Sequence, residues 1–183
     1  MDLTLEIPNN LSQEFCEEII KRFEEDTRKT PGKTVGGFNP KIKNSTDLPI
    51  TNFEEWHDVT DKLDEILAEA LKKYDKFVSE KLDYSLLKFA DNLSGNTYQI
   101  QKSGFYNYHH DALVDKLLNK VRMLTFIWYL NTPESGGETD LVFKKVKAEQ
   151  GKLLFFPASW EYIHAGLPTK NKYIITGWLL QEY

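Results

Sequence analysis

The 183-residue chain is 40% apolar and 28% charged, the balance of an ordinary globular protein with one domain's worth of core. Its net charge is −5, and its lysines and arginines form no stripe, which argues against a nucleic-acid partner. The single cysteine, Cys16, excludes an internal disulfide, no apolar run is long enough to span a bilayer, and Met1–Glu6 lacks the basic and apolar segments of a secretory signal. The expectation is a cytoplasmic, reducing setting with no membrane partner.

Ser12 stands where a helix cap belongs. Phe15, Cys16, Ile19, Ile20 and Phe23 then recur at helical spacing, so Ser12–Asp26 reads as an amphipathic helix with Cys16 in its apolar face. Thr27–Asn52 carries Gly32, Gly36, Gly37 and three prolines and shows no period. It reads as a long loop, the kind that borders an active-site mouth. Within it, Lys43-x-Ser45-Thr46-Asp47 is a polar run with turn-forming residues. Asn52 with Glu55 forms a capping box for a second helix. Trp56, Val59, Leu63, Ile66, Leu67, Ala70, Leu71, Tyr74 and Phe77 hold one of its faces, and His57 falls among acids off that face.

After Leu82 the texture changes to β-branched and aromatic runs separated by Gly, Pro and Asn: Thr97–Gln101, Phe105–Asp111, Val121–Leu130, Thr139–Val146, Lys152–Phe156, Trp160–His164 and Lys172–Gln181. Ala112–Lys120 reads as a loop or a helical turn. The fold class expected is α+β: an antiparallel double-stranded β-helix, or jelly roll, buttressed by N-terminal helices. Residues 1–183 then form one domain, with helical support and loop over 1–82 and the jelly-roll core over 83–183.

The chemistry centres on Tyr106-Asn107-Tyr108-His109-His110-Asp111. In a strand, residues two apart share a face, so His109 and Asp111 present an imidazole and a carboxylate together, with His110 turned away. A lone His-x-Asp occurs by chance in many proteins. Its company is what counts: His164 ends an apolar run before a Gly-Leu-Pro turn, and Lys172 heads the last strand with Ile174, Thr176 and Trp178 on its face. Two histidines and one carboxylate on one face of Fe(II) leave open positions for a 2-keto acid and O2. The far carboxylate of 2-oxoglutarate then needs a cation, which Lys172 supplies as a point charge, with Thr176 as a hydroxyl donor.

Five blocks in order carry a resemblance: Tyr98–Lys102 leading to Tyr106–Asp111, Arg122–Asn131, Gly136–Asp140, Gly151–Pro157, and His164 with Lys172–Trp178. The chain resembles the prolyl-4-hydroxylase-like branch of the Fe(II)/2-oxoglutarate dioxygenases. That resemblance implies His109, Asp111 and His164 as iron ligands. It implies Lys172, Thr176 and Tyr129 around the 2-oxoglutarate C5 carboxylate, and Tyr106 and Trp178 lining the iron pocket. A tyrosine that the family places upstream of the first ligand is missing, and Tyr98, Gln99 or Gln101 stands near enough to replace it. The implied reaction hydroxylates an unactivated C–H, with succinate and CO2 as co-products and ascorbate as reductant. The implied substrate is a prolyl residue in a peptide or protein. A free amino acid or other small molecule is the alternative, and a catalytically silent metal-binding jelly roll is the reading from another class. Asp111 argues against a halogenase, which vacates that position for halide.

Overall fold

The computed structural model describes residues 1–89, 97–115 and 119–182. Among the described residues, three helices, α1 (Gln13–Glu25), α2 (His57–Leu82) and the short α3 (Leu86–Phe89), accompany eleven strands. The strands are β1 (Leu5–Ile7), β2 (Thr30–Pro31), β3 (Lys43–Pro49), β4 (Gln99–His109), β5 (Val114–Asp115) and β6 (Lys120–Tyr129), then β7 (Thr139–Leu141), β8 (Lys144–Val146), β9 (Leu153–Pro157), β10 (His164–Gly166) and β11 (Lys172–Glu182). Every pairing is antiparallel, in the order β1-β9-β6-β11-β4-β10-β7-β8, with β3 and β2 continuing from β4 and β5 added to β6. The sheet curls on itself as a jelly roll, an α+β fold. None of the described helices is long and apolar enough to cross a membrane.

Period-two alternation divides the sheet into two cores. Leu124, Phe126 and Trp128 of β6, Leu153 and Phe155 of β9, and Ile175 and Leu179 of β11 face the helices. There they meet Phe15, Ile19 and Phe23 of α1 and Leu63, Leu67 and Tyr74 of α2. Their intervening neighbours Ile127 and Tyr129, Leu154 and Phe156, and Ile174 point into the roll. Gly177 keeps the first face close-packed, because a Cβ there would meet the Phe126 ring at 2.3 Å and the Thr97 carbonyl at 2.5 Å.

Ser12 caps α1 as expected, accepting from the Phe15 N–H at 3.2 Å. The second helix starts differently. Short 3-10 turns occupy Ile50–Asn52 and Glu54–Trp56, and α2 begins at His57 without a side-chain cap. Tertiary anchoring of Trp56 overrides the local capping signal: its indole N–H donates to Asp26 at 3.0 Å and the Arg22 guanidinium sits 4.6 Å over its ring.

Thr27–Asn52 is not one loop. β3 runs along β4 from Lys43 opposite Tyr106 to Pro49 opposite Gln99, and β1 adds a further early strand beside β9. Residues 1–82 thus contribute to the sheet as well as supporting it. The alternation of β3 is masked in sequence because two of its buried residues, Lys43 and Asp47, are charged and pair at 2.7 Å. Other boundaries shift as well. Thr97–Gln101 and Phe105–Asp111 merge into β4, Thr139–Val146 splits into the β7–β8 hairpin, and Trp160–Ile163 forms a turn that ends in β10. Of Ala112–Lys120, Val114–Asp115 forms β5, while 116–118 lie outside the described residues.

Candidate metal centre

β4 builds the site by breaking its own alternation twice. Ser103 and Phe105 stand opposite the consecutive Ser45 and Asn44, so Gly104 is an extra residue. Tyr106 and His109 stand opposite Gly166 and His164, so a second extra residue lies between them. Each bulge flips the face that follows. Gln99, Gln101, Ser103, Tyr106, His109 and Asp111 therefore all reach one cavity of about 340 Å³.

His164, the first residue of β10, pairs directly across from His109. The ligand atoms of His109, Asp111 and His164 lie within 4.8 Å of one another. Nε2 of His109 is 3.8 Å from Asp111 Oδ1, and Nε2 of His164 is 3.6 Å from Asp111 Oδ2. Both rings are oriented through their other nitrogen. His109 Nδ1 is 2.8 Å from the Asn107 carbonyl and His164 Nδ1 is 2.9 Å from the Tyr162 carbonyl. A carbonyl only accepts, so each Nδ1 carries the proton and each Nε2 presents a lone pair to the shared space. Burial, reinforced by His164, holds the His109 pKa down to about 4, so its imidazole is neutral at pH 7. Burial pushes Asp111 upward, but His164, His109 and the Thr125 hydroxyl outweigh it and bring its pKa below the usual carboxylate value. Thr125 of β6 donates to Asp111 Oδ2 at 2.7 Å. Trp178 helps to lower the same carboxylate, although its buried indole N–H makes no hydrogen bond of ordinary geometry. Two imidazole nitrogens and a carboxylate form a donor set suited to Fe(II).

Lys172, Ile174, Thr176 and Trp178 of β11 line the same cavity. Lys172 is 2% exposed, donates to the Gly137 carbonyl at 2.8 Å, and has no carboxylate within 4.0 Å among the described residues. Burial lowers its pKa to about 8, with Glu138 opposing. A buried cation without an acid partner is a receptor for an external anion. The Thr176 hydroxyl makes only a long, 3.4 Å bond to the Phe126 carbonyl.

Tyr106 and Trp178 both stand in the cavity wall, Tyr106 stacked on His109 with ring centroids 3.6 Å apart. Tyr129 does not reach the wall. It is fully buried, and its hydroxyl shares a 2.7 Å hydrogen bond with Thr139 of β7, which lines the cavity in its place. Tyr98 faces the opposite side: its hydroxyl bonds Asp64 of α2 and its ring packs on Phe126 and Trp128. The register of β4 leaves Gln99 and Gln101, not Tyr98, on the cavity side. His110 stands exposed at the rim.

Sequence reasoning also missed Thr125, Ser103, Arg122 and Lys33. Thr125 lies two residues before Ile127 on one face of β6, so strand parity could have found it. Arg122 stacks 3.5 Å over the Trp178 ring at the rim. Lys33 enters the rim from the hairpin that Thr34 closes with Gly37.

Residues 94–180 match the family model described as the 2OG-Fe(II) oxygenase superfamily. No curated protein matches the chain in sequence. Among solved structures, the viral collagen prolyl hydroxylase of Paramecium Bursaria Chlorella virus-1, in its 2OG complex, is 24% identical with a TM-score of 0.71, covering 100% of this chain and 97% of that one. A Trichoplax adhaerens prolyl hydroxylase, in complex with a hypoxia inducible factor oxygen degradation domain peptide fragment, is 20% identical with a TM-score of 0.73, covering 97% and 83%. A Pseudomonas putida prolyl-4-hydroxylase is 15% identical with a TM-score of 0.65, covering 98% and 92%. The chain carries, over residues 94–180, the pattern of the 2OG-Fe(II) oxygenase superfamily. It is accordingly a dioxygenase that uses Fe(II), 2-oxoglutarate and O2, and its fold is the one seen in prolyl 4-hydroxylases.

Proposed function

We propose that the protein hydroxylates a prolyl residue in a peptide or protein, with His109, Asp111 and His164 as iron ligands and Lys172 as the partner of the 2-oxoglutarate C5 carboxylate. One observation carries this reading. The His–Asp–His trio opens into the same cavity as a buried lysine that lacks an acid partner. When bound, Fe(II) together with 2-oxoglutarate and O2 supplies the oxidising power that converts C–H to C–OH, with succinate and CO2 as co-products. The chain's own residues bind, orient and exclude water. Backbone carbonyls of Asn107 and Tyr162 keep both Nε2 atoms available. Thr125 holds the Asp111 carboxylate, and Lys172, with Thr176 and Thr139, marks the carboxylate end of the co-substrate. Ile127, Ile174 and Trp178 supply apolar wall that limits water. The prolyl substrate is supported by solved relatives in name prolyl hydroxylases, one of them holding a peptide fragment. The lone buried Cys16 suits the cytoplasm as the compartment.

The test incubates the purified protein with Fe(II), ascorbate and 2-oxoglutarate, with and without a proline-rich peptide. The expected outcome is peptide-stimulated succinate and one added oxygen on proline by mass spectrometry, both lost in His164→Ala. Succinate that no proline peptide stimulates would remove the prolyl substrate.

A further inference from the structure

The catalytic cavity does not end at its rim. His109, His110 and Asp111 line it, and the next three residues, Ala112, Leu113 and Val114, line a second hollow of about 450 Å³. Arg122 lines both. Apart from Arg122 and Ser159 this hollow is lined by apolar side chains, among them Leu113, Val114, Val121, Met123 and Ala158. The strands around it are held by the Arg122 N–H on the Leu113 carbonyl (3.1 Å) and the Ala158 N–H on the Met123 carbonyl (3.0 Å). Val114 is 44% exposed there, on the two-residue strand β5. The other side of the mouth is different, lined by Lys33, Thr34 and Val35 of the hairpin, with Val35 87% exposed.

We infer that this hollow is a subsite for an apolar side chain of the substrate peptide, two or three residues from the hydroxylated position. The inference rests on the peptidyl-proline reading and names a selectivity within it. Continuity identifies the occupant. A peptide whose target side chain reaches the His109–His164 face must leave over the rim, and Arg122 stands where cavity and hollow meet. Val114 is three residues from Asp111, a span of at most about 10 Å, which is the reach of about three extended peptide residues. An arginine at the junction suits the backbone carbonyls of a crossing chain, and the apolar floor beyond it suits a leucine- or methionine-sized side chain. The opposite direction of the peptide meets Lys33, Thr34 and a Val35 that stands out in solvent, not a walled apolar floor, so the preference is one-sided.

The experiment uses short peptides with one proline and a single Leu, Gly or Lys at each position up to three residues on either side. Peptide KM is read from hydroxyproline formation, and peptide binding is read anaerobically by fluorescence anisotropy with 2-oxoglutarate and Mn(II) present. Leu lowers KM and the dissociation constant about tenfold against Gly, on one side of the proline only, two or three positions away. Val114→Glu abolishes that difference, and Ser159→Trp, from the facing wall, does so by filling the space. The 2-oxoglutarate KM measured in the same assays reports whether each variant is folded. Hydroxylation without any Leu preference, or a preference that survives both variants, overturns the subsite while leaving the prolyl reading intact. Absence of turnover and binding with every peptide overturns both.

Discussion

Lys172 places its ammonium 2.8 Å from the Gly137 carbonyl, and that neutral oxygen is its hydrogen-bond partner. With the lysine buried and its pKa lowered to about 8, co-substrate affinity depends on pH. Below pH about 7.5 Lys172 is charged and the 2-oxoglutarate dissociation constant is flat. At pH 9 most of the free protein carries neutral Lys172, and the constant rises about tenfold, with proton uptake on binding. The free protein shows the reverse trend. Its unfolded chain binds the Lys172 proton more tightly than the folded one, so this residue's penalty on stability is full below pH about 8 and fades towards 10.5. Calorimetric titration in buffers of different ionisation enthalpy measures the uptake, and Lys172→Met removes both dependences.

The Tyr129–Thr139 hydrogen bond separates two accounts of the co-substrate pocket. Thr139→Val removes a hydroxyl from the cavity wall and leaves a buried tyrosine hydroxyl without its partner, at a cost of about 1–3 kcal/mol. The 2-oxoglutarate KM is expected to rise about tenfold in Thr139→Val, and by no more than about threefold in Tyr129→Phe. A larger effect in Tyr129→Phe would show that tyrosine contacting the co-substrate directly.

Thr125 acts on the metal through Asp111. Thr125→Val keeps the shape of β6 but deletes the 2.7 Å hydrogen bond, so Asp111 loses orientation. Metal affinity falls about 10- to 100-fold, as read by Co(II) titration, with the melting temperature nearly unchanged.

Lys43 and Asp47 form a buried ion pair at 2.7 Å, and the same carboxylate accepts from Ser45 at 2.7 Å and Gln99 at 2.9 Å. Asp47→Ala strands a buried ammonium and costs about 3–5 kcal/mol, read by denaturant unfolding. The double variant Lys43→Met/Asp47→Leu recovers much of that loss. A double variant as unstable as the single one would mean that the pair, not the stranded charge, sustains the fold.

Much of this site is legible in the residues alone. His-x-Asp parity places two ligand candidates together, and the distances from His164 to Lys172 and along Lys172–Trp178 place the remaining groups on one wall. What escapes is whatever depends on register. Parity counted from His109 puts Gln99 and Gln101 on its face and Tyr98 opposite, but the Gly104 bulge inverts that count and the second bulge restores it. Either bulge alone would have given the wrong face, and neither is signalled before the partners are known. β3 escapes for an electrostatic reason, because an inward Lys–Asp pair reads as a polar loop. Thr139 escapes because its role is set by Tyr129 ten residues earlier and not by its own neighbours.

β4 carries a consequence for how the protein is made. Its partners are β3 earlier in the chain and β10 and β11 much later. His109 and His164 therefore meet only after the last strands are synthesised and the roll has closed around β4. Such non-local pairings fold slowly, on the scale of milliseconds to seconds. A nascent chain lacking the residues from His164 onward holds a His-x-Asp pair but no third donor and no Lys172. Iron loading is thus a late event in the life of the chain.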